Sequence, residues 1–276
     1  MRLARILACV AFVGALTVSA APAVAAPSLS RYASTAGTAW WTDPADGRTV
    51  VAVDGTVAPG AVTGLATALR ARGGRLVHDG GTLRKHIAGA DPFFRPGGFG
   101  RCLVGFNARS GATYSFLTSA HCVGPVATTV YADPAGTTVL GVVSSINAGY
   151  DFALVRYTNA TIAKPSAVNL YNGTHQPITS FGTGYVGQTV TRSGPNGVRT
   201  GTITALNVTV NYAEGTVYGL IRTNICSEPG DSGGPLFAKT VGIGVTSGGS
   251  GNCTSGGTSY YASAARAGSA YGIGPY

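Results

Sequence analysis

The sequence predicts an all-β unit over its C-terminal two thirds, preceded by a small α/β segment and an export signal. From about residue 87, runs rich in Val, Ile, Thr, Tyr and Phe recur between Gly and Asn clusters, at 138–143, 152–157, 201–212, 217–222 and 241–246. Many short strands at that spacing argue a sandwich or a barrel rather than alternating strands and helices. Residues 202–212 add the partial alternation of a half-buried strand, and only the alanine-rich 262–267 reads as a helix in this part.

Taken from the start, Met1-Arg2-Leu3-Ala4-Arg5 is basic, residues 6–18 are apolar and Ala23-Val24-Ala25 is small, the order of a secretory signal ending at 25. The apolar run is too short to span a bilayer. Residues 26–86 have their own character: Trp40 and Trp41 precede a strand at 49–54, and Val62, Leu65, Ala66 and Leu69 recur at helical spacing. Arg70, Arg72 and Gly73-Gly74 make a helix stop, and 75–78 returns as a strand. About 60 residues is marginal for an independent core.

Composition narrows the class. Charged residues are 11% of the chain, less than half the usual share, so the surface must be built from Gly, Ser, Thr and Asn. From residue 87 onward ten Lys/Arg stand against six Asp/Glu, with no basic block interleaved with aromatics, which gives nucleic-acid binding no support beyond a high pI. Cys9 leaves with the signal, and the remaining four cysteines suit an oxidising destination. They allow three pairings, and spacing alone does not choose among them. Metal binding is disfavoured, since neither Cys-x-x-Cys nor His-Glu-x-x-His occurs. Four Asn-x-Thr strings, at Asn159, Asn172, Asn207 and Asn252, are expected in a chain this rich in Thr and Asn.

The chemistry concentrates in Gly230-Asp231-Ser232-Gly233-Gly234-Pro235. A serine in a glycine-rich turn beside an acid has the setting of an activated nucleophile, but its hydroxyl needs a base within hydrogen-bond reach. A plain surface turn is the competing explanation in a chain with 42 glycines. The string also fits Gly-x-Ser-x-Gly, whose α/β-hydrolase setting requires a histidine after the serine. The last histidine is His175, so chain order excludes that fold. His121, in Thr118-Ser119-Ala120-His121-Cys122, follows an apolar run and adjoins a cysteine that can pin it. Between it and Ser232 lie Asp133, Asp151, Glu214, Glu228 and Asp231. Asp133 and Glu214 read as turns and Asp231 adjoins the serine, whereas Asp151 heads the apolar Phe152-Ala153-Leu154-Val155. A buried carboxylate there can hold the Nδ1 proton of an imidazole and fix its tautomer.

Thr118-Ser119-Ala120-His121-Cys122, the Asp151 strand and Gly230-Asp231-Ser232-Gly233-Gly234-Pro235, in that order, resemble the chymotrypsin-like serine peptidases. Gly100-Arg101-Cys102, Thr204-Ala205-Leu206-Asn207, Ile221-Arg222-Thr223-Asn224 and 246–253 narrow the resemblance to the bacterial streptogrisin and α-lytic protease branch. Ser119, where relatives often carry alanine or glycine, is a small departure. The resemblance implies two antiparallel six-stranded β-barrels over 87–276, with catalytic His121, Asp151 and Ser232 in the cleft between them. It implies an oxyanion hole from the backbone N–H groups of Gly230 and Ser232, a hydrogen bond from Ser247 to Asp151, and substrate binding along Ser247, Gly248 and Gly249. It also implies disulfides Cys102–Cys122 and Cys226–Cys253, each closing a loop of about 20 to 30 residues and constraining the unfolded chain by roughly 3 to 4 kcal/mol. Arg192 is implied as the ion-pair partner of Asp231. Residues 26–86 are implied to be a propeptide that assists folding and inhibits the enzyme, with processing at His86 to Ile87. The partners are polypeptides, no cofactor or metal is required, and a secreted monomer is the default. Large apolar or aromatic side chains are expected on the acyl side of the cut, against glutamate- or basic-residue specificity as the alternatives. A secreted binding module that keeps the fold without the chemistry, or a lectin-like domain, is the reading from another class, and the intact triad argues against both.

Overall fold

The computed structural model describes residues 28–43, 45–78, 87–97 and 100–276. The signal at 1–25 and the His86 side of the expected processing junction lie outside the described residues. The chain divides into two compact units, Met1–Leu83 and Arg84–Tyr276.

The first unit is a three-stranded sheet with one helix. Thr38–Thr42 pairs antiparallel with Thr49–Val53, which pairs parallel with Arg75–His78. The helix Pro59–Arg70 begins on a proline, whose fixed φ suits a first helical turn. It turns Leu65, Ala68 and Leu69 inward onto Val51, Val53 and Val57. The Trp40-Trp41 segment, which lacks the alternation of a strand, is one nonetheless because it pairs with the apolar central strand.

The second unit matches the expected all-β class. A five-stranded sheet runs in the spatial order Phe106–Ser110, Thr113–Thr118, Phe152–Tyr157, Val139–Asn147, Thr129–Tyr131. The short pair Pro92–Phe93 with Cys102–Leu103 and the bridge Phe94 to Tyr131 stand where a sixth strand would close this barrel. Its core is Phe93, Val104, Phe116, Val130, Leu140, Val143, Val155 and Tyr157. The second sheet has seven strands, including the two-residue Ser180–Phe181, and closes on itself where Val241–Asn252 pairs with Gly256–Ser263. Phe106, Leu117 and Phe152 of the first barrel pack with Phe237, Val245 and Ala264 of the second in one buried cluster.

The C-terminal helix is Ala264–Tyr271, two residues later than the alanine-rich stretch suggests. Ala262 and Ser263 finish the preceding strand, and the Ser263 hydroxyl accepts from Arg266 N as the N-cap. Three of the four Asn-x-Thr strings also have a conformational cause. Asn159, Asn172 and Asn252 each accept, through Oδ1, the backbone N–H two residues on, from Thr161, Thr174 and Thr254. These are Asx turns, which favour this residue order.

Candidate active site

His121 sits on a single 3-10 turn, Ala120–Cys122, at the end of the strand Thr113–Thr118. Two anchors fix that turn. Cys122 is bonded to Cys102, and Ser119 Oγ donates to Thr246 O of the second barrel at 2.6 Å. Asp151 lies where the turn Ala148–Tyr150 meets the strand Phe152–Tyr157, in a left-handed conformation with φ +52°. Aspartate is among the few non-glycine residues that adopt this region readily.

That conformation turns the carboxylate onto the histidine. Asp151 Oδ1 accepts from His121 N at 3.1 Å, and the His121 Nδ1 lies 2.9 Å from Oδ2. The Asp151 side chain is 5% exposed and the His121 ring 41%, so the acid is dry while the ring reaches the cleft. A carboxylate on Nδ1 holds the neutral ring's proton there, leaving the Nε2 lone pair to act as a base.

Ser232 belongs to the second barrel, in a loop whose backbone is pinned at several points. Leu103 N donates to Ser232 O at 2.9 Å, Gly233 N to Thr246 O at 2.9 Å and Thr246 N to Gly234 O at 2.8 Å. Gly233, at φ +79°, presses on Thr118 Oγ1 and on Leu103 O, where a side chain would collide. The loop therefore rests directly on the strand that leads to His121. The N–H groups of Gly230 and Ser232 have no hydrogen-bond acceptor among the described residues, as donors reserved for a developing oxyanion must be. Ser232 Oγ makes no hydrogen bond to His121. Such contacts are commonly long in a resting site and tighten around substrate.

Beneath the loop Asp231 is 2% exposed and held in a cage. Its Oδ2 accepts from Glu228 N at 2.9 Å and its Oδ1 from Asn196 Nδ2 at 3.1 Å. The guanidinium of Arg192, itself 1% exposed, places Nη1 at 2.9 Å from Oδ2. Nη1 meets the carboxylate off its N–H axis, making this contact Coulombic rather than an aligned hydrogen bond. Arg192 Nε donates to Cys226 O at 2.7 Å, so the pair is tied to the Cys226–Cys253 disulfide. Glu228 Oε1 accepts from Cys253 N at 2.7 Å and is thereby committed to the same wall.

The Ser247 expectation requires correction in part. Ser247 makes no hydrogen bond to Asp151; its Oγ accepts from Tyr212 OH at 3.4 Å. A register shift between Thr246 and Gly248 sets Ser247 in a bulge, which re-aims its side chain toward the 199–223 hairpin. Ser247, Gly248 and Gly249 otherwise lie on the strand Val241–Asn252, with Gly249 facing Ser227 Oγ and Thr258 O. Burial raises the Tyr212 pKa, with the Ser247 contact acting against it. Sequence reasoning did not find Tyr212, Asn196 or the backbone clasp of Glu228. Each lies far along the chain from its partner and carries no motif of its own. Among the described residues no group of three or more His, Cys, Asp or Glu is placed to hold a metal.

Comparison with known proteins places these features in company. Residues 94–269 match the family described as Trypsin. Streptogrisin-D of Streptomyces griseus is 42% identical over 250 residues, 89% of this chain and 62% of its own length, so the chain spans about three fifths of that relative. Streptogrisin-A of the same organism is 40% identical over 244 residues, 87% of this chain and 78% of its own. Among solved structures, Alpha-lytic protease homolog N4 superposes with a TM-score of 0.65 at 38% identity, covering 70% of this chain and 100% of that one. A glutamic acid specific serine protease that uses a histidine triad in substrate binding gives 0.64 at 38% identity, covering 69% and 100%.

Proposed function

We propose that this chain, which belongs to the trypsin family of serine proteases, is an exported endopeptidase acting through an acyl-enzyme on Ser232. The observation that carries the reading is the junction of a dry Asp151–His121 pair with a serine loop whose Gly230 and Ser232 N–H groups are unclaimed. Ser232 Oγ attacks the peptide carbonyl and gives its proton to His121 Nε2, while the two N–H groups receive the oxyanion. His121 passes the proton to the departing amine as the C–N bond breaks. Water then repeats the sequence on the ester, restoring Ser232 and releasing the acid. Asp151 keeps its charge and stabilises the imidazolium. An extended substrate adds as a strand along 247–249.

The acyl-side pocket takes a large apolar or aromatic side chain. Gly248 and Gly249 put no side chain on this edge, and Glu228, the one acid close in sequence, has its Oε1 turned to Cys253 N. The glutamate-specific alternative is weaker for two reasons. Thr246 spends its hydroxyl on Gly234 O, and His121 and His175 are the only histidines after residue 86. Paired peptide substrates test the pocket: leucine, phenylalanine or tyrosine should exceed lysine, arginine and glutamate in kcat/KM by about tenfold, roughly 1.4 kcal/mol, and a reversed order overturns it. Residues 26–86 are proposed as a propeptide that guides folding and inhibits the enzyme until a cut at His86 to Ile87. N-terminal sequencing and mass of the secreted protein labelled by a serine-directed covalent inhibitor test both export and processing. An N-terminus before Ala61 or after Arg101, or no label on Ser232, contradicts them.

A further inference from the structure

Arg101 precedes Cys102, whose disulfide to Cys122 joins it to the histidine turn. Its guanidinium lies on the serine loop: a Cβ added to Gly230 would sit 2.9 Å from Nη2 and 3.1 Å from Nε. Nε is covered and without a hydrogen-bond partner, whereas the two Nη nitrogens are not buried and, among the described residues, have neither a hydrogen-bond partner nor an ion pair, so they are the donors open to an incoming group. The contrast with the other arginines of this wall is sharp. Arg192 meets Asp231 and Cys226 O, and Arg222 donates to Thr204 and Thr258. A partly buried cation is normally matched by an acceptor, because leaving its donors unmade is costly.

The direction of a bound peptide supplies that acceptor. If the acyl side adds along 247–249, as proposed above, the chain beyond the cut is left the remainder of the serine loop to run along, and Arg101 lies against that loop at Gly230. We propose that Arg101 is a specificity-determining residue for the leaving side, favouring an Asp or Glu side chain in one of the first two positions beyond the scissile bond. The proposal rests on the endopeptidase reading above.

Quenched peptides with amidated C-termini, identical except for Glu or Lys at each of those two positions, measure the preference without a terminal carboxylate. A partly exposed charge pair supports a Glu-over-Lys ratio in kcat/KM of about fivefold at low salt, shrinking toward one near 1 M salt. Arg101→Gln should bring the ratio close to one, and Arg101→Glu should invert it. A nitroanilide carrying no residue beyond the cut should be hydrolysed equally by wild type and Arg101→Gln. If wild type does not hydrolyse it, the endopeptidase reading fails. If wild type shows no Glu preference, or Arg101→Gln slows every substrate alike, Arg101 instead shapes the Gly230 loop and the proposal is overturned.

Discussion

Removing the Arg192 side chain should disable the enzyme by releasing the loop that carries Ser232. Arg192 and Asp231 are 1% and 2% exposed, so neither charge can turn to water for compensation. In Arg192→Ala the carboxylate keeps Glu228 N and Asn196 Nδ2 but loses the one cation that pairs with it among the described residues, and Cys226 O loses its donor. Breaking a buried pair in this way costs about 3 to 5 kcal/mol, a large part of the roughly 5 to 15 kcal/mol that holds a domain together. If that cost falls on the loop, the competent arrangement becomes rarer by about 10²- to 4 × 10³-fold, at tenfold for each 1.4 kcal/mol. Active-site titration with a covalent serine reagent, kcat/KM on a nitroanilide and a thermal melt together separate loop disorder from global unfolding. The double variant Arg192→Met with Asp231→Asn removes both charges and should recover part of the lost stability, giving a coupling energy outside simple additivity. Normal activity in Arg192→Ala, or strictly additive single and double variants, would refute the reasoning.

Three further outcomes are expected. Asp151→Asn should leave the fold intact and lower kcat by about 10⁴-fold, because the amide no longer holds the proton on His121 Nδ1; a loss under tenfold would remove Asp151 from the mechanism. Gly249→Val should distort the 247–249 edge and lower kcat/KM for every extended substrate, since its Cβ would lie 2.6 Å from Ser227 Oγ and 2.7 Å from the backbone Thr258 O of the paired strand; undiminished cleavage of long peptides would place the binding edge elsewhere. Burial pushes the Tyr261 and Tyr271 pKa values up to about 12. A folded value above the unfolded one, about 10, means that their contribution is complete below pH 10 and is lost as pH rises toward 12. Alkaline unfolding should therefore begin between those limits, with phenolate absorbance appearing together with the loss of structure; early phenolate signal from every tyrosine in a folded protein would contradict this.

Much of the fold was legible because its signals are local. The strand at 152–157 is a short apolar run with its punctuation in place, and the helix Pro59–Arg70 shows its face through Leu65 and Leu69. The strand at 38–42 was not legible, since Trp40 and Trp41 take their conformation from pairing with Val51 and Val50. The start of the C-terminal helix was misread for a related reason: alanines at 262, 264 and 265 look alike in sequence, but sheet pairing claims Ala262 through Val245. In the site, His121, Asp151 and Ser232 stood out because each occupies a distinctive local setting. The implied hydrogen bond from Ser247 to Asp151 is absent, since a register shift beside Gly248 turns the side chain to Tyr212 and no composition signal records it.

The distances within the site depend less on any of its three side chains than on how closely two barrels approach. His121 and Asp151 come from the first barrel and Ser232 from the second, so their geometry is a property of the seam. Beside the apolar cluster shared by both barrels, that seam near the site is held at backbone atoms. Ser119 Oγ reaches Thr246 O, Leu103 N reaches Ser232 O, and Gly105 lies against Val245, Leu117 O and Gly233 O. A methyl group at Gly105 or Gly233 would meet backbone carbonyls at 2.6 to 2.9 Å, contacts that no rotamer change can relieve. Glycine at these positions thus has a reason distinct from turn formation, since it sets the separation of the barrels. A misplacement of about 1 Å in a catalytic arrangement can cost about 10²-fold in rate, so Gly105→Ala or Gly233→Ala should lower kcat with the proposed triad left in place.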